Sequence, residues 1–353
     1  MARNYKQLTE SIQRSLNPEN ILLTKAFSDE LSSISYSDAL TFVRMAMKAV
    51  EPEYTKRTRD AGDRVKDHLD KELQDKNFRY QGSVMTDTHI KGYSDIDLLV
   101  ISSKFYSWDA NRVNEILDSP TERNKFWTST IKKLEHEKSI SSYTGNSLED
   151  LRKLRIDSEN ILTGVYNTCD ITQPKAIRIK NLSLNREVDI VIANWYDDVR
   201  SIMYDKGDNR GVQVYNKITN TQGRVDYPFV SINRINERSS STNGRLKKMI
   251  RFMKNVKAHS DLKIDLSSFD INAICYDIDT SKYDTLAYNE LVRVIYEQLY
   301  SICNDIQHAN DVVSVDDREY IFRNQPGKLS SLRLLMGEIQ SIYSDLKVVP
   351  IYG

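Results

Sequence analysis

The stretch that decides the fold is GSVMTDTHIKGYSDIDLLV, residues 82–100. It joins a glycine–serine pair to a short loop and then to an apolar run that contains Asp95 and Asp97. The run from Ile96 to Ile101 predicts a β-strand, in which successive side chains alternate between the two faces. The two aspartates therefore share one face, and the apolar residues between them point into a core.

Two neighbouring carboxylates repel each other and are tolerated where a divalent cation neutralises them. Magnesium prefers carboxylate and phosphate oxygens. Gly82 lets backbone come close to a phosphate, and Ser83, if it opens a helix, adds N–H groups that favour an anion. These parts together predict a site for a nucleoside triphosphate with its metal.

A third carboxylate comes from Asp189, which interrupts the apolar strand Val188–Ile192. An unpaired buried aspartate is costly, so a partner is expected. Metal shared with Asp95 and Asp97 is the simplest partner. Each feature alone has an ordinary structural explanation, such as a satisfied edge residue, but their combination favours a catalytic site.

The rest of the chain predicts a mixed α/β (α+β) lobe followed by a helical lobe. Helical periodicity begins near Ser37, a plausible N-cap, and continues to Leu73 as one long helix. We therefore expect a catalytic lobe over residues 1–200 and a helical lobe over 201–353. The further predicted segments are a polar helical region over 108–165, strands over 176–180 and 187–193 with a turn between them, and a helical part entered at Pro228.

Composition limits the function classes. Lysine plus arginine equals aspartate plus glutamate, 50 each, which argues against a dedicated duplex-DNA binder but not against a local basic groove. The three cysteines are widely spaced, so a disulfide framework or zinc site is not expected. Without a signal-peptide pattern or an apolar run long enough to span a bilayer, we expect a cytoplasmic protein.

At these residues the chain resembles the DNA polymerase beta–like nucleotidyltransferase superfamily. More closely, it is similar to the bacterial cyclic GMP-AMP synthase–like enzymes, the CD-NTases of anti-phage defence. The resemblance implies a polymerase beta–like nucleotidyltransferase core with a mixed sheet, plus a helical C-terminal lobe. It is carried by Gly82-Ser83, Asp87-Thr88 and Ser94-Asp95-Ile96-Asp97, with Asp87 in place of the usual glycine and with Gln81 matching some members.

A second similarity lies in the segment Thr242–Lys254, which looks like the basic helix of this family. The family places a lysine on this helix and a serine in a Ser-aromatic-x-aliphatic motif, and both contact the triphosphate. Lys254 and Ser268 fit these positions, with Arg251 a close competitor for the lysine. Helical spacing puts Leu246, Met249, Ile250, Met253 and Val256 in the core and Lys248 on a solvated face.

The resemblance implies a cyclic di- or trinucleotide synthase that uses two Mg²⁺ (or Mn²⁺) ions. A ribose hydroxyl attacks the α-phosphate of ATP, GTP or another NTP, and pyrophosphate leaves. For Arg178 two roles stay open, a phosphate contact and a solubilising charge on an edge strand. Rival functions are an RNA-tailing or small-molecule nucleotidyltransferase and a catalytically silent nucleotide sensor. The bases, the linkage and the ring size are not determined by the sequence.

The expected partners follow from the same resemblance. They are nucleoside triphosphates and a downstream effector reached through the cyclic product, without a membrane or duplex nucleic acid. The chain ends in Gly353, and some relatives are conjugated through such a terminus by an operon-encoded ubiquitin-transfer–like enzyme. A frayed end is the alternative interpretation.

Overall fold

The computed structural model describes residues 4–16, 38–90 and 96–347. Asp95, the predicted N-cap Ser37 and the C-terminal Gly353 lie outside the described residues.

The first two thirds of the described chain contain both helices and strands, and the last third contains helices. The helices are α1 Tyr5–Leu16, α2 Asp38–Met47, α3 Pro52–Glu72, α4 Ala110–Asp118, α5 Pro120–Arg123, α6 Thr128–Ser139, α7 Ser147–Val165, α8 Val199–Met203, α9 Pro228–Ser241, α10 Arg245–Ala258, α11 Ser268–Asp277, α12 Leu291–Asn304, α13 Ile306–Asp311 and α14 Pro326–Lys347. The strands are β1 Lys76–Gln81, β2 Ile96–Trp108, β3 Cys169–Asp170, β4 Ile177–Asn181, β5 Arg186–Asp197, β6 Gly211–Asn216 and β7 Thr221–Asp226.

All these strands form one mixed sheet, as predicted. Its path runs β1-β2-β5-β4-β3, with β6 paired to β5 and β7 to β6. The β2–β5 pair is parallel and the other pairs are antiparallel. Strand β2 is longer than predicted, because pairing with β5 resumes after an irregularity between Ser102 and Tyr106.

Helix α3 packs against the apolar face of the sheet beside Tyr80 and Ile96. A Cβ at Gly62 would lie 2.9 Å from Cε1 of Tyr80 and 3.4 Å from Cδ1 of Ile96, so the helix packs closely there. Tyr80 and Ile96 alternate along their strands with Gln81 and Asp97, which therefore point to the other face. The strand that carries the carboxylates thus has one face buried under a helix.

The prediction of one long helix over 37–73 is wrong. Among the described residues, α2 ends at Met47 and α3 begins at Pro52. Proline lacks the N–H that a helix interior requires and its ring clashes with the preceding turn, whereas the first helical position tolerates it. Pro52 therefore starts a new helix.

The described chain divides into two compact units. The described residues of 56–82 and 95–232 form one unit, which holds the sheet, and those of 1–55, 83–94 and 233–353 form the other, which is helical. These limits differ from the predicted boundary at residue 200, because β6 and β7 continue the sheet to Asp226. The N-terminal segment joins the helical unit, where Phe42, Val43 and Ala46 share a core cluster with residues of α10. None of the described helices combines the length and low polarity needed to cross a membrane.

Candidate active site

A row of polar side chains crosses the sheet from β1 to β3. Strand register pairs Gln81 with Asp97, Asp97 with Asp189, Asp189 with Arg178, and Arg178 with Asp170. Residues directly opposite each other on paired strands project from the same face. We call these five residues the carboxylate row.

Asp97 and Asp189 occupy the centre of the carboxylate row, on the parallel strands β2 and β5. Neighbouring strands are about 4.8 Å apart, so two carboxylates meet side by side. The side chain of Asp189 is only 15% exposed. Paired carboxylate oxygens in this setting fit the ligand preference of Mg²⁺ or Mn²⁺. The third predicted ligand, Asp95, lies outside the described residues.

Gly82 is fixed by its contact with Asp97. Its φ is +89°, and a Cβ placed on it would lie 2.8 Å from Oδ2 of Asp97. Both the left-handed backbone and the close approach exclude a side chain. The glycine therefore allows the main chain to contact the carboxylate of Asp97, a predicted metal ligand.

Arg178 is engaged with a predicted metal ligand. Its Nε donates to Oδ1 of Asp189 at 2.8 Å, and its Nη2 donates to Oδ2 at 2.9 Å. The edge-strand interpretation of Arg178 does not hold, because Asp170 of β3 pairs on its other side. The bidentate geometry gives Asp189 a cationic partner of the kind that a buried carboxylate requires.

Asp170 was missed in the sequence, since a two-residue strand has no periodicity to detect. Hydrogen bonds from the hydroxyl and backbone N–H of Thr172, then one from Gln173, lower the pKa of Asp170 to about 2, and the charge of Arg178 adds to this. Asp170 is therefore an anion at neutral pH and contributes to the field around Arg178.

Ser83 begins a turn and not a helix, so the condition under which helix N–H groups at Ser83 would favour an anion is not met. The carbonyl of Ser83 accepts from the N–H of Thr88 at 3.0 Å and from the hydroxyl of Thr86 at 3.2 Å. Asp87 within this turn has a φ of 52°. That left-handed conformation favours glycine and is tolerated by aspartate better than by most residues. It explains why glycine is usual here in the resembled family.

Helix α10 holds the turn that follows Ser83. Nζ of Lys254 donates to the carbonyl of Thr88 at 3.1 Å, and Nη1 of Arg251 donates to the carbonyl of Asp87 at 2.6 Å. Both basic side chains are buried. Burial lowers the pKa of Lys254 to about 8. Lys254 thus supports the turn, and its predicted triphosphate contact stays a prediction.

The other predictions for α10 have mixed outcomes. The predicted apolar stripe is confirmed, because its five residues are all buried. Lys248 is half-buried rather than fully solvated, and burial lowers its pKa. Hydrophobic spacing alone thus identified the buried apolar stripe but not the degree of burial of the neighbouring basic side chains.

Ser268 is the first residue of α11, with its side chain exposed. Ser267 is the N-cap, and its hydroxyl and the carboxylate of Asp270 form a capping box. The first turn of a helix offers backbone N–H groups to an anion. Ser83, Lys254 and Ser268 thus lie in the helical unit, whereas Gln81, Gly82, Asp97, Asp189 and Arg178 lie in the sheet unit.

Comparisons with known proteins agree with this geometry. The family described as the cGAS/DncV-like nucleotidyltransferase C-terminal helical domain matches residues 233–344. A c-di-GMP synthase of Capnocytophaga granulosa is 51% identical over 98% of each chain. A c-di-GMP synthase of a Lachnospiraceae bacterium is 40% identical over 97% of this chain and 99% of its own.

A solved structure resembles the chain equally broadly. The STING-associated CdnE c-di-GMP synthase from Flavobacteriaceae sp. superposes with a TM-score of 0.88 at 37% identity, over 98% of this chain and 99% of its own. Identity at this level over the full length, together with the carboxylate row, shows that the chain belongs to the cGAS/DncV-like nucleotidyltransferase (CD-NTase) family.

Proposed function

We propose that the chain is a metal-dependent nucleotidyltransferase that joins two GTP molecules into cyclic di-GMP. The observation that carries the proposal is the pairing of Asp97 with Asp189 across β2 and β5, with the backbone of Gly82 against Asp97. The choice of GTP rests on the relatives that are 51% and 40% identical, both described as c-di-GMP synthases.

Asp97 and Asp189, together with Asp95, would hold the divalent ions. When bound, Mg²⁺ or Mn²⁺ neutralises the triphosphate and lowers the pKa of the attacking ribose hydroxyl. In each of two rounds this hydroxyl forms a bond to the α-phosphorus, the bond between the α- and β-phosphates breaks, and pyrophosphate leaves. The second round closes the ring.

The remaining predicted residues bind and orient the nucleotide. Gln81 and Gly82 bring the end of β1 to the carboxylates. Lys254 fixes the conformation of the turn after Ser83, and the N-terminus of α11 at Ser268 suits a phosphate oxygen. Positioning and charge neutralisation are the main contributions a protein makes to phosphoryl transfer.

The test is mass spectrometry of the products made by the purified chain with Mg²⁺ or Mn²⁺. We expect cyclic di-GMP from GTP alone, with pyrophosphate released in a ratio of about 2:1 to product. Asp97→Asn and Asp189→Asn should abolish both signals, whereas Lys153→Gln, which removes a charge from an exposed ion pair on α7, should not.

Three results would contradict the proposal. Extension of an added RNA primer in place of cyclisation would indicate a tailing enzyme. Binding of GTP without pyrophosphate release would indicate a nucleotide sensor. A cyclic product that requires a second base would change the substrate but keep the reaction.

The biological role we propose is CBASS-type anti-phage defence, in which the product binds a STING-type effector. The support is that the Flavobacteriaceae relative is described as STING-associated. Phage plating on cells that carry the chain with its genomic neighbours tests this role. Protection that survives Asp97→Asn in a folded chain would contradict it.

Conjugation of the C-terminal Gly353 by a ubiquitin-transfer–like enzyme is a separate proposal, for residues outside those described. Intact-mass measurement of the chain expressed with its neighbours tests it. Deleting Gly353 should remove any adduct, and an adduct that persists contradicts conjugation at that residue.

A further inference from the structure

A basic pocket lies beside the turn that joins β4 to β5. It has a volume of about 260 Å³ and is formed by α3, the C-terminal end of α7 and residues 180–183. Its basic lining residues are Arg64, His68 and Lys180, and none of its described lining residues is an aspartate or glutamate. A concave surface with cations and no anions attracts a negatively charged ligand.

Arg64 is held in place by neutral groups. Its Nη1 donates to Oγ of Ser183 at 2.9 Å, and that hydroxyl donates to Oδ1 of Asn181 at 2.9 Å. Glu187 lies opposite Lys180 in the register of β4 and β5, but within the described residues neither Lys180 nor Arg64 has a carboxylate within ion-pair distance. Both charges are thus available to a ligand, and one of them is already oriented.

The pocket also has aromatic and aliphatic walls. The rings of His68 and Tyr166 meet edge to face, with centroids 5.8 Å apart. Leu182, also in the lining, is 63% exposed, and an apolar side chain at that exposure is available to cover a flat ring. Arginine and lysine bind phosphate, while aromatic and aliphatic side chains pack on a base.

The pocket lies at the end of β4, where Lys180 projects from the same face of the sheet as Arg178, whereas α3 contributes its residues from the opposite face. Helix α3, which supplies Arg64 and His68, packs on the face of Tyr80 and Ile96. Asp97 and Asp189 point to the opposite face. The volume of about 260 Å³ is slightly below the usual range of small-molecule sites, about 300–1,000 Å³, so a mononucleotide would fill the pocket and stay partly exposed to solvent.

We propose that this pocket, formed by Arg64, His68, Tyr166, Lys180, Leu182 and Ser183, binds a mononucleotide through its phosphate and base. The phosphate pairs with Arg64 and Lys180, and the base packs between Tyr166 and Leu182. The site does not depend on the proposed catalytic function. Its Lys180 lies on strand β4, two residues from the Arg178 that pairs with Asp189.

The test is calorimetric titration of the full chain with GMP, guanosine and inorganic phosphate, in EDTA so that metal-dependent binding at the carboxylates is suppressed. We expect GMP to bind more tightly than guanosine or phosphate. Arg64→Gln with Lys180→Gln should weaken GMP binding by about tenfold or more. Asp97→Asn with Asp189→Asn, and Lys132→Gln on the exposed surface of α6, should leave it unchanged.

The folding of the variants and the location of the bound GMP are measured separately. The exchanged side chains are on the surface, so the Tm of the double variant should stay within about 2 °C of the parent, and Lys180→Gln alone is the variant if it does not. Photo-crosslinking with 8-azido-GMP should label a peptide that contains Tyr166 or Leu182. Unchanged GMP affinity in the Lys180→Gln variants, loss only in the carboxylate variant, or labelling confined to other peptides would overturn the proposal.

Discussion

Arg178→Gln tests how the sheet stabilises its carboxylates before a metal binds. The substitution removes the charge that pairs with Asp189 but keeps a side chain of similar reach. Two carboxylates about 5 Å apart repel by roughly 1–3 kcal/mol for an effective dielectric between 80 and 20. The guanidinium, at 46% exposed, offsets part of this repulsion.

The magnitude follows from that exposure. Solvent-exposed ion pairs contribute about 0.2–1 kcal/mol, and charge-assisted bidentate pairs lie at the upper end or above. We therefore expect Arg178→Gln to lower the free energy of unfolding by about 1 kcal/mol in EDTA. With saturating Mg²⁺ the loss should shrink, because the ion takes over neutralisation of Asp189.

Linkage gives a second readout. A group that pairs with Asp189 only when the metal is absent opposes metal binding, so its removal should tighten binding by up to about fivefold, the equivalent of 1 kcal/mol. Urea unfolding in EDTA and in Mg²⁺, with Mn²⁺ titration followed by EPR, measures both effects. Lys153→Gln, from an exposed pair on α7, is the control, with changes within about 0.5 kcal/mol.

Equal destabilisation with and without the ion, or weaker Mn²⁺ binding, would refute this reasoning. The second result would instead indicate that Arg178 orients Asp189 for the metal. The KM for GTP distinguishes these two roles of Arg178 from the phosphate contact predicted from the sequence. Loss of a phosphate contact raises KM without changing the Mn²⁺ affinity in the absence of nucleotide.

Further predictions concern the glycine and lysines of the site. Gly82→Ala should abolish product formation and destabilise the fold by about 1–3 kcal/mol, because its Cβ meets Asp97 at 2.8 Å with φ at +89°. Gly164→Ala, whose Cβ has no atom within 4 Å in α7, should keep product formation and raise the free energy of unfolding in urea by up to about 1 kcal/mol, because alanine favours a helix over glycine. Lys254→Met should reduce turnover more than Lys248→Met, since only Lys254 is fully buried against the turn, and equal losses would contradict that difference. The pKa of Lys254 falls from 10.5 to about 8 on folding, so the unfolded state binds more protons and the parent should gain stability from pH 8 to 10.5, by up to about 3 kcal/mol. Lys254→Met should lack this gain in urea unfolding measured across that range, and an identical pH profile would place the titration elsewhere.

Much of the site was predictable because it depends on local periodicity. Alternation along the strand predicted that Asp97 and its neighbours Ile96 and Leu98 project from opposite faces. In the structure Ile96 packs under α3, and Asp97 lies on the other face. The aspartate at position 87, where the resembled family has glycine, is also explained by local backbone conformation. Its φ of 52° shows that the position requires a left-handed residue.

The tertiary structure alone decided which charges meet. Arg178 pairs with Asp189 because β4 and β5 are antiparallel neighbours in one register, and a shift of a single residue would put Arg178 on the opposite face. No pattern within either strand specifies that register. The same holds for Lys254 and Thr88, which are 166 residues apart in sequence.

The sequence by itself determined the fold class and the family and predicted the carboxylates of a metal site, because short-range spacing and the strand period are properties of the chain alone. It did not determine the division into units. The described residues of the segment 1–55 join the C-terminal helices because their apolar side chains are buried with those of α10. Strands beyond residue 200 join the sheet because backbone groups must find hydrogen-bond partners. Long-range burial and pairing depend on the whole chain, and only the folded arrangement fixes them.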